Sequence, residues 1–253
     1  MSPPVNSFRQ RLAAGETLVG TFLKTPSPIV AEVLGLSSLD VLCIDTEHAP
    51  FGRLETDHCI AACRAANMAS LVRVGSDSPH DIRNALDSGA TGIVVPHVTT
   101  ASQAAAIVKA AHFGEGGRGY AGSPRAANYG TSTMQSHLSE SRESTTVIVQ
   151  IEDPQALSNV AEIAAVSGVD ALFIGRVDLA VSMGKTVSSP EIIATVEQVC
   201  RDARASGAIV GMFTPNLKEI PGWIELGASL FLLGSDHSFL LAGANELARI
   251  AGR

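Results

Sequence analysis

The chain has 253 residues, 45% of apolar and 17% of charged types, with a net charge of −7 from 18 basic and 25 acidic side chains. That balance leaves no basic footprint for nucleic acid, and no apolar run approaches the roughly 18 residues that a membrane helix needs. Four cysteines without a CxxC pair exclude a disulfide framework or a zinc knuckle, and the polar start over residues 1–15 is expected of a cytoplasmic chain.

Along the chain, apolar runs that end in polar residues alternate with helical patterns. The runs are Leu18–Lys24, Val41–His48, Ser70–Gly75, Gly92–Val98, Val147–Glu152, Ala171–Asp178, Ile209–Thr214 and Leu230–Asp236, eight predicted strands in all. Near-continuous apolar runs suit strands covered on both faces, as in a parallel sheet wrapped by helices. Ser78-Pro79, Asp153-Pro154 and Ser189-Pro190 each place an N-cap residue before a proline at the first helical position. Gly89, Gly168, Gly207 and Gly227 stand where a left-handed residue would end a helix. Cys59 and Cys63, at i and i+4 of a predicted helix, read as buried apolar residues. Residues 113–146 form a long insertion rich in Gly, Ser and Arg, and no amphipathic helix follows its Gly116-Gly117-Arg118-Gly119 run, as a phosphate cradle would require. An open doubly wound sheet also alternates strand and helix, but no G-x-G-x-x-G follows the first strand, where Lys24-Thr25-Pro26-Ser27 stands. The pattern therefore predicts an α/β fold, a single-domain (β/α)8 TIM barrel over residues 1–253.

In a parallel barrel the reacting groups sit at the C-terminal ends of the strands. There the sequence offers Asp45, Glu47 and His48 on the second strand, Arg73 on the third, Gln150 and Glu152 on the fifth, and Arg176 and Asp178 on the sixth. Glu152 and Asp178 close adjacent strands, and two carboxylates held that near each other repel unless a cation or a proton lies between them. Oxygen ligands without a nearby cysteine select a hard octahedral ion, Mg2+ or Mn2+, with Co2+ a further candidate. The plainer alternative has each carboxylate capping the next helix, although Asp153 already supplies a cap ahead of Pro154. His48 beside Asp45 and Glu47 suits a general base. Arg73, within Leu71-Val72-Arg73-Val74, needs an anion: a buried ion pair with Glu47 or Asp45, or a substrate oxyanion.

In chain order, Ile44-Asp45-Thr46-Glu47-His48-Ala49-Pro50, Val72-Arg73-Val74, Leu86-Asp87-Ser88-Gly89-Ala90, Arg118-Gly119 with Arg125-Ala126-Ala127-Asn128-Tyr129-Gly130, Gln150-Ile151-Glu152 and Phe173-Ile174-Gly175-Arg176-Val177-Asp178-Leu179 form a series. This series resembles the class II pyruvate aldolases, the hydroxy-oxo-heptanedioate and 2-keto-3-deoxy-sugar-acid aldolases, over nearly the whole chain. The resemblance implies a metal-dependent lyase. Its reaction would be reversible cleavage of 4-hydroxy-2-oxo acids to pyruvate, or a related 2-oxo acid, and an aldehyde through a metal-bound enolate. It also implies Glu152 and Asp178 as metal ligands, His48 as the base with Asp87 raising its basicity, and Arg73 as the group that stabilises the enolate. Asp45 would contact the aldehyde's hydroxyl, Gln150 and the Val177 N–H would hold the pyruvate moiety beside Asp178, and Phe213 would line the aldehyde pocket. Arg176 departs from the proline common in the family's Gly-Pro-x-Asp-Leu, and would bring a cation near the substrate carboxylate or the aldehyde.

The resemblance further implies a homo-oligomer, commonly a hexamer, in which the last apolar helix, from Phe239 to Ile250, packs on a neighbouring barrel; otherwise that helix closes its own barrel. Two rival activities share the scaffold. A class I aldolase would form a Schiff base through Lys24, the only lysine at a strand's C-terminal end, and an oxaloacetate-type decarboxylase would use the same enolate. A non-catalytic barrel would lack one or more of His48, Arg73, Glu152 and Asp178, and all four are present.

Overall fold

The alternation of apolar runs with capped helical segments folds as a closed sheet wrapped by helices. The computed structural model describes residues 8–214 and 216–253. Among these residues the strands are β1 (Leu18–Leu23), β2 (Val41–Asp45), β3 (Ala69–Arg73), β4 (Gly92–Val95), β5 (Thr146–Ile151), β6 (Ala171–Ile174), β7 (Ile209–Phe213) and β8 (Ala228–Ser235). They pair in parallel and in chain order, and β1 with β8 closes the barrel. The helices are α1 (Phe8–Ala13), α2 (Pro28–Gly35), α3 (Arg53–Ala65), α4 (Pro79–Asp87), α5 (Ala101–Ala111), α6 (Met134–Ser144), α7 (Val160–Ala164), α8 (Arg176–Ser182), α9 (Pro190–Ala205), α10 (Ile220–Glu225) and α11 (Asp236–Ile250).

Because side chains alternate across a strand, one strand serves two cores. Leu42, Ile44, Val72 and Val149 join Ile60 of α3, Ile82 of α4 and Val196 of α9 in the layer between sheet and helices. Val41, Cys43, Leu71, Ile148 and Leu232 fill the barrel itself, with Phe8 and Leu12 of α1 in the same cluster. Each fully buried large apolar side chain stabilises by about 1.5–3 kcal/mol, well above any helix-propensity difference per residue, so packing decides the fold. At Gly20 β1 and β2 approach so closely that a Cβ would collide with the Val41 carbonyl and side chain.

The predicted punctuation holds at most places. Ser78 and Ser189 accept hydrogen bonds from the backbone N–H groups of His80 and Ile192, and the four helix-ending glycines have positive φ. Asp153 differs: it makes no capping bond, because its carboxylate is turned to His97. The sixth strand is shorter than its polar end suggests, stopping at Ile174, and Asp178 lies in the first turn of α8. The insertion is not featureless. It carries a 3-10 turn over Arg125–Gly130 and then α6, whose Ser- and Glu-rich surface buries only His137 and Ser141 and so shows no apolar period.

The last helix does not close its own barrel. Of α11 only Asp236 is buried, accepting from the N–H groups of Lys24 at 2.7 Å and Thr25 at 2.9 Å. Leu240, Leu241, Leu247 and Ile250 are 63–71% exposed, and Ile29 (68%) and Val33 (61%) of α2 are similarly open. No helix among the described residues is long and apolar enough to cross a membrane.

Candidate active site

The register of β2 on β3 sets Asp45 opposite Arg73, above the inward-facing Cys43 and Leu71. Arg73 donates to Asp45 through Nε (3.0 Å to Oδ1) and Nη2 (2.8 Å to Oδ2), the two-pronged geometry that a planar guanidinium favours. Its carbon Cζ lies 4.6 Å from the centroid of the Phe22 ring. Burial acts to raise the Asp45 carboxyl, but the bonds and charge of Arg73, aided by the His48 N–H and Lys24, bring it below the usual carboxylate range. The same carboxylate shapes the turn that follows: Oδ1 accepts the His48 N–H at 3.1 Å. The imidazole is left half-exposed at the barrel mouth, its Nε2 3.5 Å from Glu47 Oε2.

A second group forms beside it. Glu152, 2% exposed, follows β5 and accepts the backbone N–H of His97 at 2.8 Å and the side-chain amide of Gln150. Gly175 is required here, since a Cβ would press into the Glu152 side chain. Burial raises the Glu152 carboxyl, and the His97 N–H, Gln150 and the His97 ring pull it back only in part, with Asp178 raising it further. Ligand atoms of Glu47, His97 and Glu152 all lie within 4.8 Å of one another. Gln150 Oε1 is buried without a hydrogen-bond partner, and Glu47 Oε2 is met only by the charges of Arg73 Nε at 3.3 Å and His48 Nε2 at 3.5 Å. An unsatisfied buried oxygen beside crowded carboxylates fits a cation.

His48, Arg73 and Gln150 line a cavity of about 350 Å³ whose wall also includes Lys24, Arg176, Val177, Asp178 and Phe213. Of the residues read from the sequence, His48, Arg73, Gln150, Arg176, Val177, Asp178 and Phe213 therefore share one cavity, and Asp87 does not. Arg176 is only 4% exposed and is held at the cavity wall by protein groups: Nε donates to the Val187 carbonyl (3.0 Å) and Nη1 to Glu219 (2.5 Å), beside the Trp223 ring. Asp87 does not reach His48 within one chain. It ends α4, close in sequence to the start of β4, and is held there by Arg118 at 3.0 Å. A separate cavity of about 360 Å³ lies on that side, lined by Arg118, His137 and Thr145, and no strand-end residue reaches it. The sequence reading missed His97. It sits just past β4 in Val95-Pro96-His97 with φ of 57°, and the available signal was a polar residue directly after an apolar run.

Carboxylates, an imidazole and a guanidinium around the C-terminal mouth of a parallel barrel define an enzyme built for carbanion or enolate chemistry. Residues 18–242 match the HpcH/HpaI aldolase/citrate lyase family, and the chain belongs to it. It is a metal-dependent aldolase, a carbon–carbon lyase. It is 35% identical to a 5-keto-4-deoxy-D-glucarate aldolase of Salmonella arizonae over 246 residues, 96% of this chain and 95% of that one. Among solved structures, an HpcH/HpaI aldolase/citrate lyase family protein from Burkholderia cenocepacia J2315 superposes with a TM-score of 0.92 at 32% identity, covering 98% of this chain and 100% of that one. The citrate synthase SbnG superposes with a TM-score of 0.86 at 27% identity, over 98% and 99% of the two chains.

Proposed function

We propose that the barrel mouth cleaves a 4-hydroxy-2-oxo sugar acid of the 5-keto-4-deoxy-D-glucarate type to pyruvate and a short aldehyde acid, reversibly. The observation that carries this reading is the convergence of His48, Arg73, Gln150 and Asp178 on one cavity beside Glu152. In the cleavage direction His48 takes the proton of the substrate's C4 hydroxyl and the C3–C4 bond breaks. The electron pair moves onto the C2 keto oxygen as an enolate, and protonation at C3 gives pyruvate. Arg73 meets the charge that develops on that oxygen, as a fixed donor costing no reorganisation. Asp45 holds the guanidinium in place and positions the His48 turn. Gln150 and the N–H of Val177, which has no intrahelical acceptor in the first turn of α8, hold the carboxylate and keto oxygens of the pyruvate moiety. Phe213 faces the aldehyde.

A divalent ion, Mg2+, Mn2+ or Co2+, held by Glu152 and Asp178 would supply Lewis-acid polarisation of the keto group. The buried Gln150 oxygen without a hydrogen-bond partner and the crowding of Glu47, His97 and Glu152 support that fit. Lys24 is engaged by Asp45 at 3.5 Å, and nothing favours a Schiff base there. Decarboxylation of an oxaloacetate-type acid would share the enolate, and no observation favours it over the aldol reaction.

The test is cleavage of a panel of 4-hydroxy-2-oxo acids, with oxaloacetate included, after removal of metal by a chelator. Cleavage should vanish on chelation and return with Mg2+, Mn2+ or Co2+, because two carboxylates hold such an ion exchangeably. Full turnover in the chelated protein, together with a borohydride-trapped pyruvate adduct on Lys24, would reject this reading.

The exposed apolar faces of α2 and α11 support a homo-oligomer in which α11 lies on a neighbouring barrel, a hexamer being the form proposed. Light scattering at micromolar concentration should give a multiple of the chain mass. The Leu240→Glu, Leu241→Glu double variant should lower it. A monomeric wild type would reject the assembly.

A further inference from the structure

We propose that His97 is itself a ligand of the active-site cation, contributing Nε2, and that Asp153 positions it. The inference rests on the metal reading above and extends it to a nitrogen donor. Three observations carry it. The first is the tautomer. His97 Nδ1 lies 3.0 Å from Asp153 Oδ2, and an ionised carboxylate only accepts, so Nδ1 carries a proton and Nε2 is the nitrogen left to coordinate. The second is what that nitrogen faces. Nε2 lies 3.7 Å from Glu47 Oε1, and ligand atoms of Glu47, His97 and Glu152 lie within 4.8 Å of one another. A divalent ion taking the place of an Nε2 proton would be shared by imidazole and carboxylates. An imidazole whose other nitrogen donates to a carboxylate is the usual way a protein fixes a histidine ligand and raises its basicity.

The third is the backbone. His97 is one of four described residues other than glycine with positive φ, and its own N–H donates to Glu152 at 2.8 Å. One residue held in a sparsely populated conformation thus anchors Glu152 by its main chain and turns its ring toward Glu47. Asp153 belongs to the same device. It gives up the helix cap that its place before Pro154 would allow and spends its carboxylate on the His97 ring. A nitrogen ligand also changes which ion is preferred. Imidazole binds Mn2+, Co2+ and Zn2+ more readily than Mg2+, which favours oxygen donors.

The test uses Mn2+ as the probe on the full chain, read by pulsed electron paramagnetic resonance, which detects a directly bound nitrogen without any turnover. Wild-type protein and His48→Ala should both show nitrogen modulation on bound Mn2+, and His97→Gly should lose it. Glycine takes up the left-handed conformation at no steric cost, so the main-chain bond to Glu152 survives in that variant. Asp153→Ala should weaken Mn2+ binding by about 10–100-fold, the usual effect of losing a group that orients a ligand. The preference for Mn2+ over Mg2+ should shrink in His97→Gly. If Mn2+ binds the wild type without nitrogen modulation, or the modulation persists in His97→Gly, His97 is not a ligand while the carboxylate site stands. If the wild type binds no Mn2+, the metal reading falls as well, and this inference with it.

Discussion

With pyruvate alone, in deuterated water and with metal present, the enzyme should exchange the methyl protons, because enolate formation needs no aldehyde. His48→Ala should slow that exchange by roughly 10²–10⁴-fold, the usual contribution of a positioned general base. Arg73→Ala should slow it by about 10²–10³-fold if the guanidinium meets the developing oxyanion. The two variants differ in a second respect. His48 is half-exposed and its loss should leave stability nearly unchanged, whereas Arg73 neutralises a carboxylate with no solvent exposure. Breaking one side of a buried ion pair typically costs about 3–5 kcal/mol, so Arg73→Ala should lower the denaturant midpoint markedly. Adding Asp45→Asn removes the orphaned charge and should restore stability without restoring exchange. Exchange at the wild-type rate in folded His48→Ala and Arg73→Ala would remove both residues from the mechanism.

Glu152→Ala and Asp178→Ala should each reduce metal-supported cleavage to the level of the chelated wild type. The two carboxylates occupy different structural settings, which lets the chemical and structural contributions be separated. Asp178 stands in the first turn of α8, where an acidic side chain contributes about 0.3–1 kcal/mol through the helix dipole. That is too little to account for loss of turnover, so an inactive but folded Asp178→Ala assigns the carboxylate to the reaction. Glu152 is buried and bound by the His97 N–H and by Gln150, so its replacement also strands two donors. Glu152→Gln, which keeps the shape, separates that packing loss from the loss of a ligand. Unaltered metal dependence in both alanine variants would place the ion elsewhere.

The barrel was legible because each strand is an apolar run covered on both faces, and a run of that kind needs no tertiary information to be seen. The mouth was legible for a related reason: a polar residue ending such a run, as Arg73 and Glu152 do, has few places to be except over the barrel axis. What the sequence hid depends on direction. His97 follows a four-residue strand and is aimed by its own backbone angle, and no periodicity encodes φ. The pairing of Arg176 with Glu219 at the cavity wall was hidden for another reason, since that partner lies 43 positions away. Asp87 was placed beside His48 by resemblance, yet within one chain α4 carries it away from the mouth. α6 was missed because a helix that buries almost nothing has no apolar stripe to read.

The four cysteines have a practical bearing on how this protein is studied. All are buried, and burial pushes the thiols of Cys43, Cys63 and Cys200 up to about 12 and that of Cys59 up to about 11. Burial and the neutral form together should make all four thiols react slowly with maleimides in the folded chain, so none has to be removed. A single Glu197→Cys change on the solvent side of α9, away from the α11 face proposed to pack on a neighbouring barrel, would therefore carry a dye at one known position.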